Sequence, residues 1–186
     1  MQITRLELDG ALLVEGRRHG DARGWFEETW SRARLSDAGF DQDFVQDNVS
    51  FSAKAGTLRG LHCQTAPFAQ GKLVGVLAGA VRDVIVDVRP GSATYLRHCV
   101  IDLDAEHPLR IYAPPGFLHG FVTTKADTLV QYKVTARYSR DHDRSVAWDD
   151  PVLAIDWGVT SPILSDKDAR APRLSEAGAL FAETTA

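Results

Sequence analysis

An all-β sandwich or barrel is the fold class predicted for this 186-residue chain. Three observations predict it: runs rich in valine, isoleucine and leucine recur between residues 72 and 134, turn residues separate them, and helical periodicity is scarce. Residues 72–77 and 81–88 are two such runs, with Ala78-Gly79 as a tight turn between them. Residues 98–103, 109–113, 119–123 and 128–134 continue the series as further strands. Upstream, residues 21–28 read as a strand-forming arm. Residues 31–38 read as one short helix because Gly39 stands just past their end. Residues 175–183 are expected as a second, terminal helix on the outside of the barrel. No repeat, low-complexity run or linker interrupts the chain. Residues 1–186 are therefore expected as a single domain, with its core over about 3–174 and a tail over 175–186.

Composition narrows the class of partner. The hydrophobic and charged fractions, 44% and 25%, are ordinary for a soluble globular protein. A formal net charge of -4 argues against nucleic acid or membrane as the main partner, while leaving room for a local basic pocket. Cys63 and Cys99 are too few for a disulfide framework and form no Cys-x-x-Cys pair. The first sixteen residues lack the basic start and apolar run of a signal peptide, and no stretch has the roughly 18 apolar residues of a membrane span. A cytoplasmic enzyme is the expectation.

Two histidines carry the chemistry. One lies in Gly56-Thr57-Leu58-Arg59-Gly60-Leu61-His62-Cys63-Gln64, the other in Pro114-Pro115-Gly116-Phe117-Leu118-His119-Gly120. A glycine six residues before a histidine, followed later by Pro-x-Gly-x-x-His, resembles the two signature segments of the cupins. That resemblance implies a double-stranded β-helix (jelly-roll) barrel with a few short peripheral helices. Metal-binding cupins continue the first segment as His-x-His and supply a glutamate soon after. Here Gln64 and Phe68 or Ala69 hold those places, and amide or phenyl groups do not replace such ligands. The expectation is acid–base chemistry by histidine, with no metal and no organic cofactor.

The rest of the chain sharpens the resemblance. Asp21-Ala-Arg-Gly-Trp-Phe-Glu-Glu28, Gln46-Asp-Asn-Val-Ser50, Leu58-Arg-Gly-Leu-His62, Gln70-Gly-Lys72, Asp83-Val-Ile-Val-Asp-Val-Arg89, Gly116-Phe-Leu-His-Gly-Phe121, Tyr132-Lys133, Trp148-Asp-Asp-Pro151, Ile155-Asp-Trp157 and Ser165-Asp-Lys-Asp168 follow one another. In that order they resemble the dTDP-4-dehydrorhamnose 3,5-epimerase family, from about residue 3 to about residue 174. The family substrate is a 4-keto-6-deoxy sugar linked to thymidine diphosphate. Its ketone acidifies the hydrogens at C3 and C5, because removing either leaves an enolate. Epimerisation then needs a base on one face, an acid on the other and a stabiliser for the oxyanion.

The resemblance assigns these roles residue by residue. His62 matches the base and Asp168 the carboxylate that orients it. Tyr132 matches the acid, and Lys72 is the candidate for stabilising the enolate oxygen. Arg23 and Arg59 match phosphate contacts, with Lys167 beside them. Phe26, Glu28, Gln46, Asn48, His119 and Asp143 match positions around nucleotide and sugar. Read alone, most of these residues have plainer roles. Asp168 would be a loop or capping aspartate, Tyr132 an interior aromatic, Lys72 a strand-end cation and the remaining charges solvated surface. The family's arms pair across a homodimer by strand exchange, so Arg23 is expected to serve the neighbour's pocket. Cys63, Gly75 and Gly158 depart from the family pattern, and Cys63 and Gly75 are expected to alter the shape of the pocket. Three other readings stay open: an epimerase acting only at C3 or only at C5, a metal-dependent cupin, and a non-catalytic sugar-nucleotide-binding cupin.

Overall fold

Two antiparallel sheets face one another in the computed structural model, which describes residues 1–37, 40 and 42–182. The chain opens with β1 (Gln2–Arg5) and β2 (Leu12–Glu15), then a hairpin of β3 (Arg18–Asp21) and β4 (Gly24–Glu27). Helix α1 (Arg32–Asp37) leads to β5 (Gln46–Ser52) and β6 (Leu58–Gln64). Next come β7 (Lys72–Ala78), β8 (Ala80–Asp87) and β9 (His98–Asp104). These are followed by β10 (Leu109–Ala113), β11 (Phe117–Thr123) and β12 (Thr128–Val134). A short β13 (Asp143–Ser145) and helix α2 (Asp166–Ala169) complete the elements. One sheet runs β1-β2-β10-β7-β12-β5, the other β13-β6-β11-β8-β9. This is the all-β architecture that the strand spacing predicts, in the cupin-type barrel that the resemblance of the two histidine segments implies. Its walls are two sheets with an apolar core between them.

Alternation explains the layering. On β8, Val81 and Ile85 join the core between the sheets with Val74, Val76, Ile111, Phe117 and Phe121. Val84 and Val86 point the other way, into a second cluster with Leu61, Leu118, Leu153 and Trp157. β8 is thus covered on both faces, and its near-continuous apolar run follows from that. A third cluster lies outside the six-stranded sheet, where Leu35 of α1 and Phe40 pack on Leu12, Val14, Leu73 and Tyr112. Each fully buried side chain of this kind contributes about 1.5–3 kcal/mol.

The helical expectations fare unequally. The first helix is present as Arg32–Asp37, while Ala38 and Gly39 fall outside the described residues. The terminal helix expected over 175–183 is corrected: its described residues, to 182, form a turn and bends. One turn begins, with the amides of Glu176 and Ala177 donating to the Arg173 carbonyl at 2.9 and 3.0 Å. Gly178 then enters the left-handed region at φ 70° and ends it. Leu174, Ala177, Leu180 and Phe181 pack onto the outer cluster of the five-stranded sheet instead. That burial holds the segment without a helix.

Candidate active site

The central geometry begins with one extra residue in β6. His119 of β11 stands opposite His62, whereas Phe121 stands opposite Arg59, so two steps on β11 match three on β6. This is a β-bulge at Gly60-Leu61. Side chains alternate along a strand, so Arg59 and His62, three apart, would otherwise point to opposite faces. The bulge turns both into the barrel. Gly60 has a φ of +124°, and a Cβ there would fall 2.6 Å from Gly120 Cα and 2.8 Å from the His119 carbonyl oxygen. A glycine at 60 is therefore a condition for the site.

The cavity so formed has a volume of about 340 Å³. His62, Arg59 and His119 line it from the five-stranded sheet, and Lys72, Asn48 and Tyr132 from the six-stranded sheet. Lys167 and Asp168 close it from α2. His62 Nε2 lies 2.6 Å from Asp168 Oδ1, and Asp168 is 5% exposed. Ser165 caps α2 by accepting the Asp168 amide at 3.1 Å, and its hydroxyl donates to Asp168 Oδ2 at 3.0 Å. Burial works against the Asp168 charge. The bonds from His62 and Ser165, with Lys167 nearby, outweigh it and hold the carboxyl below the usual carboxylate range. An ionised acceptor on Nε2 favours the ring proton there, which leaves the lone pair on Nδ1.

The facing wall has different properties. Burial pushes the Tyr132 phenol well up, so it stays protonated, and its hydroxyl lies 3.2 Å from Ser50 Oγ. Burial pushes the Lys72 ammonium down, although the carboxylates of Asp143 and Asp83 favour its charge. Its Nζ donates to the His62 carbonyl at 3.2 Å, which ties the cation to the strand of the base. His119 Nε2 lies 2.8 Å from Asp83 Oδ2, both side chains being buried. Arg59 is held by Ser52 Oγ at 3.2 Å and by the Phe51 carbonyl at 2.9 Å.

Other expected site residues lie at the rim or beyond it. Gln46 donates to Asn48 Oδ1 at 2.8 Å and accepts the Tyr138 amide at 3.0 Å, fixing Asn48 and an adjoining loop together. Asp143 takes Lys167 Nζ at 2.5 Å and the Tyr138 hydroxyl at 3.2 Å. Arg23, Phe26 and Glu28 do not reach this chain's own cavity. Arg23 is solvent-exposed on the hairpin and pairs with Asp21 at 2.6 Å, while Glu28 pairs with Arg34 at 2.8 Å. The expectation for Cys63 and Gly75 is corrected. Cys63 faces the outer cluster of the five-stranded sheet, and Gly75 lies beneath Arg110, so neither is a wall of the cavity. Gly158 has φ +69°, a backbone conformation that proline cannot adopt. Sequence reasoning gave no role to Ser50, Asp83, Ser165 or Phe121, although each stands within a family motif. Strand alternation was a further signal for one of them, since it sets Asp83 on the same face of β8 as Val81 and Ile85. Among the described residues, no three His, Cys, Asp or Glu side chains converge as metal ligands.

Barrel and cavity together define an acid–base enzyme of the cupin type, with an oriented imidazole on one wall and a neutral phenol on the other. The chain belongs to the dTDP-4-dehydrorhamnose 3,5-epimerase family, whose model matches residues 5–176. These are isomerases acting on carbohydrates. The Sinorhizobium fredii enzyme of that name is 47% identical over 95% of this chain and 91% of its own. A Bacillus anthracis dTDP-4-dehydrorhamnose 3,5-epimerase, solved with TDP and pyrophosphate bound, superposes with a TM-score of 0.91 at 48% identity, covering 93% and 99% of the two chains. A Legionella pneumophila epimerase, solved with dTDP-4-keto-L-rhamnose, reaches a TM-score of 0.93 at 40% identity, over 100% and 99%.

Proposed function

We propose that this chain converts dTDP-4-dehydro-6-deoxy-D-glucose to dTDP-4-dehydro-L-rhamnose by inverting C5 and C3. The observation that carries the reading is the placement of His62 and Tyr132 on different sheets, on either side of one cavity. Inversion needs removal of a proton from one face and return to the other, and two walls supply two faces. His62 Nδ1 takes the proton alpha to the ketone, and Asp168 stabilises the imidazolium that results. The electron pair moves onto the C4 oxygen, where the Lys72 ammonium meets the developing charge. Tyr132 gives its proton to the carbon from the opposite side, and solvent restores the protonation of phenol and imidazole. Arg59 and Lys167 hold the diphosphate.

Two further readings belong with this one. The chain is a single epimerase domain and works in the cytoplasm; among the described residues, no helix is long and apolar enough to cross a membrane. It works as a homodimer that exchanges its arms. β5 is an edge strand carrying exposed Val49 and Phe51, and the β3–β4 hairpin carries exposed Trp25 and Phe26. An apolar edge of this kind is a surface for pairing.

Proton NMR of the purified protein with substrate in deuterated water, chelator present, tests the activity. Loss of both the C3 and C5 proton signals, with product reducible to the L-rhamnose form, is expected. Exchange at one carbon alone identifies a single-site epimerase, and no exchange overturns the reading.

A further inference from the structure

Glu27 is an ion in an unexpected place. It ends β4 on a hairpin whose Trp25 and Phe26 are 59% and 72% exposed, yet its own side chain is 2% exposed. Its Oε2 accepts from Arg18 Nε at 3.1 Å and its Oε1 from Arg110 Nη1 at 2.5 Å. Arg18 is the register partner of Glu27 at the root of the hairpin. It donates its other nitrogens to the carbonyls of Ala105 and Glu106 at 2.8 and 2.6 Å, and lies 3.9 Å over the Trp25 ring. Arg110 belongs to β10 of the six-stranded sheet. Its stem fills the space over Gly75, where a Cβ would fall 2.8 Å from Arg110 Cγ. Gly16 makes room in the same way, since a Cβ there would lie 2.6 Å from Glu27 Oε1.

Among the described residues, β3 and β4 pair only with each other. Within its own chain the hairpin therefore has no ladder to set its angle to the barrel. The ion network at its root is what joins it to the six-stranded sheet. A carboxylate withdrawn from water is tolerated when its oxygens are filled, and two guanidinium forks fill them in one arrangement.

We propose that the Arg18–Glu27–Arg110 network is a latch fixing the pose of the β3–β4 arm, so that Arg23 and Phe26 enter the sugar-nucleotide pocket of a second copy of this chain. Glu27 and Arg110 are positioning residues, for neither lines the cavity of its own chain. The inference rests on the arm-exchanged homodimer.

Glu27→Gln keeps the shape of the side chain and removes its charge. Expected are a rise of about tenfold in KM with kcat held within about twofold, as when binding alone is lost. Faster amide deuterium exchange is expected with it, confined to residues 18–27. Gly75→Ala leaves Glu27 in place and displaces Arg110, so it should reproduce part of both changes; it also decides the matter if Glu27→Gln does not fold. Unchanged KM and unchanged hairpin exchange overturn the latch. Mixing Arg23→Ala subunits with His62→Ala subunits tests arm exchange separately, because each mixed dimer then holds one intact pocket. Activity above that of either parent supports exchange between copies. Its absence overturns the homodimer reading, while hairpin deuterium exchange still judges the latch.

Discussion

His62 and His119 are register partners across β6 and β11, and each gives its Nε2 to a different buried aspartate, 2.6 Å to Asp168 and 2.8 Å to Asp83. Access separates them. The His62 side chain is 28% exposed and that of His119 4%, so His62 is open to the cavity while His119 is set into its wall. Asp83 keeps one buried oxygen, Oδ1, without a hydrogen-bond partner among the described residues.

His62→Ala is expected to abolish solvent exchange at both sugar carbons. Asp168→Asn keeps the ring in place but removes the charge opposite the imidazolium, and kcat should fall by ~10²–10⁴-fold. Exchange observed by NMR at near wild-type rate in His62→Ala would sink the assignment of the base.

Tyr132→Phe removes one hydroxyl whose protein contact is Ser50, and it keeps the ring against His119 and Phe121. The variant should fold normally and still wash deuterium into the substrate through His62. Inversion should lag behind exchange at one carbon or both. A product distribution identical to wild type, read by coupling constants, would count against the phenol as acid.

Gly60→Ala places a methyl group against Gly120 Cα and the His119 carbonyl, in a backbone conformation that alanine disfavours. The expected cost is about 2–4 kcal/mol, with the bulge shifting to relieve it. Thermal unfolding checks the first consequence. Activity lost beyond the unfolded fraction at the assay temperature checks the second, since His62 shares the bulge.

Asp87 offers a test by acid. Burial opposes its charge, but bonds from Arg89, Ser92 and Thr94 hold its pKa at about 2. A depressed carboxyl stabilises the fold above its ordinary range, and this contribution fades as pH falls toward about 2. Asp87→Asn should therefore lose about 1–3 kcal/mol at neutral pH, with the gap to wild type closing below about pH 4. Urea midpoints across that interval measure it. A gap independent of pH would show that the charge is not what matters.

The strands of the core were legible because their burial demands apolar, β-branched residues: the runs at 109–113 and 128–134 match β10 and β12 end to end. Two of the strands that build the site, β5 and β6, were harder to read as strands. β5 reads Gln-Asp-Asn-Val-Ser-Phe-Ser and β6 holds a glycine at its bulge, because one face of each carries polar side chains for the cavity. Family motifs supplied His62, Tyr132, Lys72 and Asp168 where periodicity could not. What the motifs did not convey is which side chains meet. Asp83 behind His119, Ser165 behind Asp168 and Gln46 clamping Asn48 all stand within motifs, but their contacts are set by strand pairing and local backbone geometry.

The two walls of the cavity belong to different sheets, and this ties stereochemistry to mechanics. If one sheet slides against the other, His62 and Tyr132, the proposed proton acceptor and donor, separate and water gains entry between them. Protons returned by that water arrive without regard to face, so the enolate reverts to starting material as readily as it advances. The ratio of futile to productive turnovers thus becomes a gauge of how stiffly the core between Val74 and Phe121 is packed.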